Sequence, residues 1–290
     1  MANLKEIRVR ISSVSSTRQI TSAMKMVSAA KLRKAQDAIL NLRPYAVKLD
    51  SVISRVAQGL NPSEFELIRE NKVKKLLIVL ISSDKGMCGA FNSTAIKAAI
   101  SYADDNYPYL FSSGKVDFCC LGKKGAEIIK SKKLPYMDYS SKLSKLDHAS
   151  VAPIAQELIE MYKQGKYDKI VIAYNQFKNA AVFEVQVEAF LPFPKPPKSF
   201  IKSKADYFYE PSQAVIVERT LPLSLEIKLL KTLLDSQAAE HGARMTAMHK
   251  ATDNASDLIR SLTLTYNKAR QATITNELVE IVGGAEALNG

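Results

Sequence analysis

The stretch Ser82-Ser83-Asp84-Lys85-Gly86-Met87-Cys88-Gly89-Ala90-Phe91-Asn92 gathers hydroxyls, a carboxylate, an ammonium, a thiol and two glycines. It follows the apolar run Leu76–Ile81 and precedes a helical pattern, the place where dinucleotide folds seat a phosphate on a helix N-terminus. Nucleotide binding is therefore one chemistry to weigh, and a thiolate at Cys88, favoured beside a helix N-terminus, is another. The loop lacks both the Gly-x-Gly-x-x-Gly pattern and the Gly-Lys-Ser/Thr of a Walker loop. Two glycines at a strand–helix turn follow from backbone geometry alone, and no histidine lies near Cys88 in sequence. His148, His241 and His249 are scattered; the last two are eight residues apart on one helical pattern, which is not ligand spacing. Cys88, Cys119 and Cys120 are odd in number, two of them adjacent in an apolar run. They fit reduced, buried thiols better than a disulfide or a metal site. The expectation is no catalytic residue, no metal and no cofactor, with a nucleotide-binding α/β enzyme as the alternative.

The elements around this loop alternate. Leu76–Ile81, Val116–Leu121 and Lys169–Tyr174 suit strands buried on both faces, and Phe183–Leu191 a weaker edge strand. Asn92–Tyr102, Gly122–Ser131 and Val151–Lys163, with Pro153 in its first turn, suit helices. Such alternation predicts an open, mainly parallel α/β sheet. Pro192–Pro197 is a stiff connector, Tyr207–Glu210 a short strand, and Pro211–Arg219 a short helix.

Long helices flank this unit. Residues 3 to about 58 step through Leu4, Ile7, Ile11 and Val14, then a shifted stripe of Ile20, Met24 and Val27. A heptad-like seam follows: Leu32, Ala35, Ile39, Leu42, Leu49, Val52 and Val56. Asn3 is a candidate N-cap with Glu6 completing a capping box, Pro44 predicts a kink, and Gly59–Pro62 a stop. From Leu221, with Pro222 at the first turn, a second helix runs to the C-terminus. Its seam is Met245, Met248, Thr252, Ala255, Ile259, Leu262, Tyr266 and Ala269. Sixty-odd residues of helix span roughly 90 Å, which calls for a partner along the length. The fold class is thus α/β: a long antiparallel coiled coil of the N- and C-terminal helices with an inserted Rossmann-like domain. The segments are 1–60 (N-terminal helix), 73–195 (α/β domain) and 211–290 (C-terminal helix).

The 290-residue chain has 47% hydrophobic residues and a formal charge of +12, which excludes a disordered protein. Residues 1–50 hold ten Lys/Arg and three Asp/Glu, a balance of +7. Such an arm suits a polyanionic partner, so a basic coiled-coil nucleic-acid-binding protein is the second alternative. The lysines at 123–124 and 130–133 form a further basic patch, which suits a solvated face. No apolar run is long enough to span a bilayer, and no signal or transit segment is visible at the N-terminus.

The segment Ile20–Lys31 (Ile-Thr-Ser-Ala-Met-Lys-Met-Val-Ser-Ala-Ala-Lys) resembles the N-terminal signature of the gamma subunits of rotary, F-type ATP synthases. Ser82–Asn92 is similar to that family's central loop. Ala243–Ala255 and Leu262–Ala285, the latter with Tyr-Asn-Lys-Ala-Arg-Gln, are similar to its C-terminal patterns. The resemblance implies a rotor shaft, non-catalytic by itself, whose terminal helices stand inside a hexamer of alpha and beta subunits. The α/β domain would lie beside the epsilon subunit and the membrane c-ring. The chain would turn with that ring, driven by hydrogen ion transport. It implies contacts of Arg270, Gln271, Met24 and Lys25 with the beta subunit, and an apolar tip, with Ile281, Val282, Ala285 and Leu288, in a hexamer sleeve. The basic arm would then meet an acidic protein surface, with no nucleic acid and no direct membrane insertion. The location implied is peripheral, on the cytoplasmic face of a bacterial inner membrane. Chloroplast members carry an inserted cysteine pair that is not visible here, and Gly283-Gly284 weakens the last turns by about 1 kcal/mol per glycine.

Overall fold

A computed structural model describes residues 4–57, 66–69, 72–143, 145–193, 210 and 212–289. In chain order the elements are α1 (Leu4–Ala57), β1 (Leu76–Ile81), α2 (Phe91–Asn106), α3 (Pro108–Ser112), β2 (Val116–Leu121) and α4 (Lys123–Ser131). Then come β3 (Tyr136–Asp138), a 3-10 turn (Ser140–Lys142), α5 (His148–Lys163), β4 (Lys169–Phe177), β5 (Phe183–Leu191) and α6 (Gln213–Asn289). The chain forms two compact units, one of Met1–Ser28 with Met245–Gly290, the other of Ala29–Arg244.

The larger unit is built on a five-stranded sheet of order β3-β2-β1-β4-β5. The first four strands are parallel, and β5 runs antiparallel to β4 at the edge. Strand β1 sits in the middle because all six of its residues are apolar and at most 3% exposed. It pairs Leu76 with Val116 on one side and Lys169 on the other. Helix α2 turns Ala95, Ala99 and Ala103 onto the sheet, and small side chains let a helix lie close to a strand layer. Burial holds the thiols protonated: Cys119 is pushed well above its usual pKa and Cys120 up to about 12. Within this unit α6 is covered on nearly every side from Leu221 to Arg244, and the covered residues include the polar Glu226, Asp235, His241 and Arg244 beside the apolar ones.

The smaller unit is an antiparallel helix pair. Arg8 Nη2 donates to Tyr266 OH at 2.7 Å, Thr252 Oγ1 meets Thr21 Oγ1 at 2.9 Å, and Lys25 Nζ lies 3.2 Å from His249 Nδ1. As α1 advances from 8 to 25, α6 retreats from 266 to 249. The α6 seam from Met248 to Ala269 is the one the periodicity predicts, with Met248 and Ala255 buried.

Several expectations need correction. The stripe in α1 does not shift: Ile20 is 60% and Val27 56% exposed, whereas Thr21 and Ser28 are buried. The heptad continues unbroken through small polar residues, and the apolar side chains one position earlier face outward. Helix α6 begins at Gln213 and passes through Pro222, so the predicted start at Pro222 and the separate helix at 211–219 merge into one. A proline inside a helix costs about 3 kcal/mol; here burial of Val217, Leu221 and Leu225, each at most 1% exposed, offsets it. Helix α1 contains Pro44 without ending there, as a kink rather than a stop requires. Strand β3 and helix α3, three and five residues long, are too short to show a period. The Asn3 cap, the Gly59–Pro62 stop, most of the 192–197 connector and residues 207–209 of the predicted strand lie outside the described residues.

Candidate functional site

Strand order reverses between β1 and β4, and open α/β sheets take ligands in the crevice at the carboxyl ends of such strands. The loop 82–90 and Asn175 stand there. In this unit the crevice is filled by the chain itself. Cys88, Phe91 and Ala239 of α6 form a buried cluster joined by Phe177, Phe183 and Ala243. Phe91 meets Phe183 edge-on at 5.8 Å, and Asn175 Nδ2 donates to the Phe91 carbonyl at 2.9 Å. Gly242 is required by this approach, since a Cβ there would lie 2.9 Å from the Ala180 carbonyl oxygen.

Arg244 locks the loop to α6. Its Nη2 donates to the Lys85 carbonyl at 2.9 Å and its Nε to the Gly86 carbonyl at 3.3 Å, while Nη1 pairs with Glu240 at 2.6 Å. The loop thus aims carbonyl oxygens at a cation, the reverse of a phosphate cradle, which needs N–H groups. The Ser83 N–H is taken by Asn92 Oδ1 at 3.0 Å. Cys88 is 2% exposed and receives Asn92 Nδ2 at 3.3 Å. The loop is a clasp for α6, with Met87 at its tip in the left-handed region (φ 62) and 61% exposed.

Burial loads this clasp with costly groups. Desolvation raises the Glu240 carboxyl, opposed by Arg244. His241 is pushed down to about 4, by burial first and then by the positive charges of Arg244 and Lys31. Its Nδ1 has no hydrogen-bond partner among the described residues. A histidine whose folded pKa lies below its unfolded value of about 6.5 contributes stability above the unfolded pKa and loses it as pH falls towards the folded one. Acidification from pH 6.5 to 4 is therefore expected to remove up to about 3 kcal/mol through His241. Chemical denaturation of the chain and of His241→Gln across this range checks it: the pH slope of the difference should follow the substitution.

The residues marked by resemblance lie on the helix pair. Met24 and Lys25 are half-buried. Lys25 reaches His249 Nδ1, a nitrogen that also lies 3.4 Å from Asp253. Arg270 and Gln271 are exposed, and their side chains meet no partner among the described residues. They sit where α6 passes Leu4, the first described residue of α1. Beyond them residues 271–285 are exposed on all sides, Ile281 at 67% and Val282 at 62%, with Ile274, Leu278 and Val279 also open to solvent. Ala285 is exposed and Leu288 lies in the same helix. The structure brings Lys25 onto His249 with Met24 half-buried beside it in sequence, and leaves Arg270, Gln271 and the tip on the end of α6 that is unpaired among the described residues. Two groups escaped the sequence reading. Glu240 and Arg244 have the i, i+4 spacing of a helix ion pair, a signal that was present. Arg8, 5.6 Å from the Tyr266 ring centroid, has no such local signal.

The family profile described as ATP synthase matches residues 3–288. A curated ATP synthase gamma chain of Flavobacterium psychrophilum is 53% identical over the full length of both chains. Among solved structures, a chain of the central stalk and c-ring of the Tetrahymena thermophila mitochondrial ATP synthase is 25% identical. That match covers 80% of this chain and 99% of the other, with a TM-score of 0.59. A chain of the Euglena gracilis mitochondrial ATP synthase, at 21% identity and a TM-score of 0.65, covers 98% of this chain and 94% of its own and shows the shared fold. A clasped α/β unit and a helix pair whose α6 runs on, unpaired among the described residues, with exposed apolar side chains are therefore features of a chain matched from end to end, and this chain belongs to the ATP synthase gamma-chain family.

Proposed function

We propose that the chain is the central rotor shaft of a proton-translocating F-type ATP synthase. It couples rotation of the membrane c-ring to conformational change in a catalytic hexamer of alpha and beta subunits, with the epsilon subunit beside it. The observation that carries this reading is the full-length match to gamma chains. The chain is non-catalytic by itself, a reading supported by its full-length match to gamma chains, which are subunits of a larger complex. Working segments of 1–60, 73–195 and 211–290 follow from this role. The mechanism is differential contact: each angular position of an asymmetric rod favours a different conformation of each beta subunit, and a rotor can shift an equilibrium only by that difference.

On this reading Met24, Lys25, Arg270 and Gln271 touch beta subunits, and Ile281, Val282, Ala285 and Leu288 sit in an apolar sleeve. The exposed apolar side chains from Ile274 to Val282 support that occupant, and undirected apolar contacts permit rotation. No described helix is long and apolar enough to cross a membrane, so the chain is a peripheral part of the complex. We place it on the cytoplasmic face of a bacterial inner membrane.

The test is reconstitution with alpha and beta subunits of the same source. One copy of this chain per hexamer, with MgATP hydrolysis by the complex and none by the chain alone, is the expected result. No complex, together with nucleotide turnover or DNA binding by the chain alone, overturns the reading. Arg270→Ala is expected to leave stability within about 0.5 kcal/mol, as an exposed change does, while lowering coupled ATP synthesis several-fold. Melting temperature and synthesis rate measured on one preparation decide it, and a parallel loss of both would sink the contact role.

A further inference from the structure

Parallel strands all begin on one edge of a sheet, and in the larger unit that edge is lined with lysines. Lys72, Lys74 and Lys75 lead into β1, Lys115 into β2, Lys130, Lys132 and Lys133 into β3, and Lys163 and Lys166 into β4; all nine are exposed. Four parallel strands set roughly 5 Å apart spread these segments over about 15 Å. Lys130 and Lys163 complement the C-terminal ends of α4 and α5, as cations do. Lys132 is the C-cap of α4, and the other six lie in the connections.

The same edge holds the carboxylates Asp104, Asp105, Asp117, Glu160 and Asp168. Asp168 is committed to the N–H groups of Lys74 and Lys75, each at 2.9 Å, and Asp117 to the Tyr167 hydroxyl at 2.6 Å. Glu66 and Arg69, on the described piece of the preceding connection, cancel. Nine ammonium groups thus face five carboxylates, and none of the nine is in an ion pair among the described residues. Tyr109, in α3 on the same edge, is 76% exposed.

We propose that this edge is an electrostatic docking surface for an anionic lipid bilayer. Its charges are lysines, compact and mobile, suited to diffuse attraction rather than to the bidentate grip that arginine gives on a fixed phosphate. They are spread along an edge rather than gathered in a groove that could follow a nucleic-acid strand. One exposed tyrosine is too few for a base-stacking platform and is the side chain that sits well at a headgroup layer. The proposal takes from the function above only that a membrane is close. The contact is undirected, so it can persist while the unit moves over the lipid.

The experiment is flotation of the full-length chain with vesicles of phosphatidylcholine, alone or mixed equally with phosphatidylglycerol. The ratio of the two affinities is the readout, because the apolar end of α6 can bind either vesicle. The wild type should prefer the anionic vesicles at low salt and lose the preference at high salt. The variant Lys74→Gln/Lys115→Gln/Lys132→Gln should lower the anionic affinity about a hundred-fold, each lysine near an anionic surface being worth about a factor of five. Arg33→Gln/Lys34→Gln/Lys48→Gln, which removes three charges from α1, should leave the ratio within about two-fold of wild type. If the first variant melts early, Lys130→Gln/Lys163→Gln/Lys166→Gln replaces it. Equal affinity for the two vesicles, equal loss in both variants, or tighter binding to duplex DNA than to anionic vesicles each overturns the proposal. Assembly with alpha and beta subunits is scored separately, so a failure of the shaft reading is not mistaken for a failure here.

Discussion

Arg244→Ala is expected to destabilise the larger unit by about 3–5 kcal/mol, the loss typical when one partner of a buried charge pair is removed. The side chains of Arg244 and Glu240 are only 9% and 19% exposed. Removing the guanidinium leaves a desolvated carboxylate and two loop carbonyls, of Lys85 and Gly86, without their donor. Equilibrium denaturation of the full chain measures this directly. The pair removed together, Glu240→Gln with Arg244→Met, should recover part of the loss, because no buried charge then stands alone. A single-variant loss below about 1 kcal/mol would mean that the loop is held by its own turns rather than by α6.

Gly122→Val should be more damaging still, above about 4 kcal/mol, and is expected to prevent accumulation of folded chain. Gly122 has φ 135, a conformation that side-chain-bearing residues rarely adopt, and a Cβ there would lie 2.1 Å from the Ser82 carbonyl oxygen. The obstacle is backbone, held by the bond from the Ser82 N–H to the Leu121 carbonyl at 3.0 Å, so it cannot move aside as a flexible side chain would. Gly165→Ala is the control: its φ is 70, but nothing lies within 4 Å of the added Cβ. Only the left-handed penalty of roughly 1–2 kcal/mol should appear there. Soluble yield and denaturation midpoints of the two variants compare them, and similar values would show that the close approach at Ser82 carries little weight.

The contrast between these sites explains what was legible in the sequence. Strands β1, β2 and β4 stood out because burial on both faces makes a run that is apolar throughout in β1 and nearly so in β2 and β4. The α6 seam stood out because Met248, Ala255 and their neighbours keep a strict period. In α1 the same logic misled over Ile20–Val27, where the seam positions are Thr21 and Ser28 and the apolar residues face outward. Period counts only apolar side chains, and this stretch of seam is made of small polar ones. Pro222 misled because its local penalty is visible in sequence and the packing that offsets it is not. The residue types of the 82–92 loop were plain, but its role depends on Arg244, some 158 positions away. No local pattern reports such a contact.

The unpaired end of α6 has a kinetic consequence. Past Ala269 the helix has no neighbour among the described residues, and two adjacent glycines lie in it. A single helix of that length in water is marginal, so in the free chain its backbone amides should open and exchange with solvent far faster than those opposite α1. Seating it in a partner would slow exchange at the same amides without altering their hydrogen bonds. Exchange at Ile274–Val282 therefore acts as a clock-like gauge of whether the end of the helix is occupied, one that can be followed during assembly without labelling or mutating the chain.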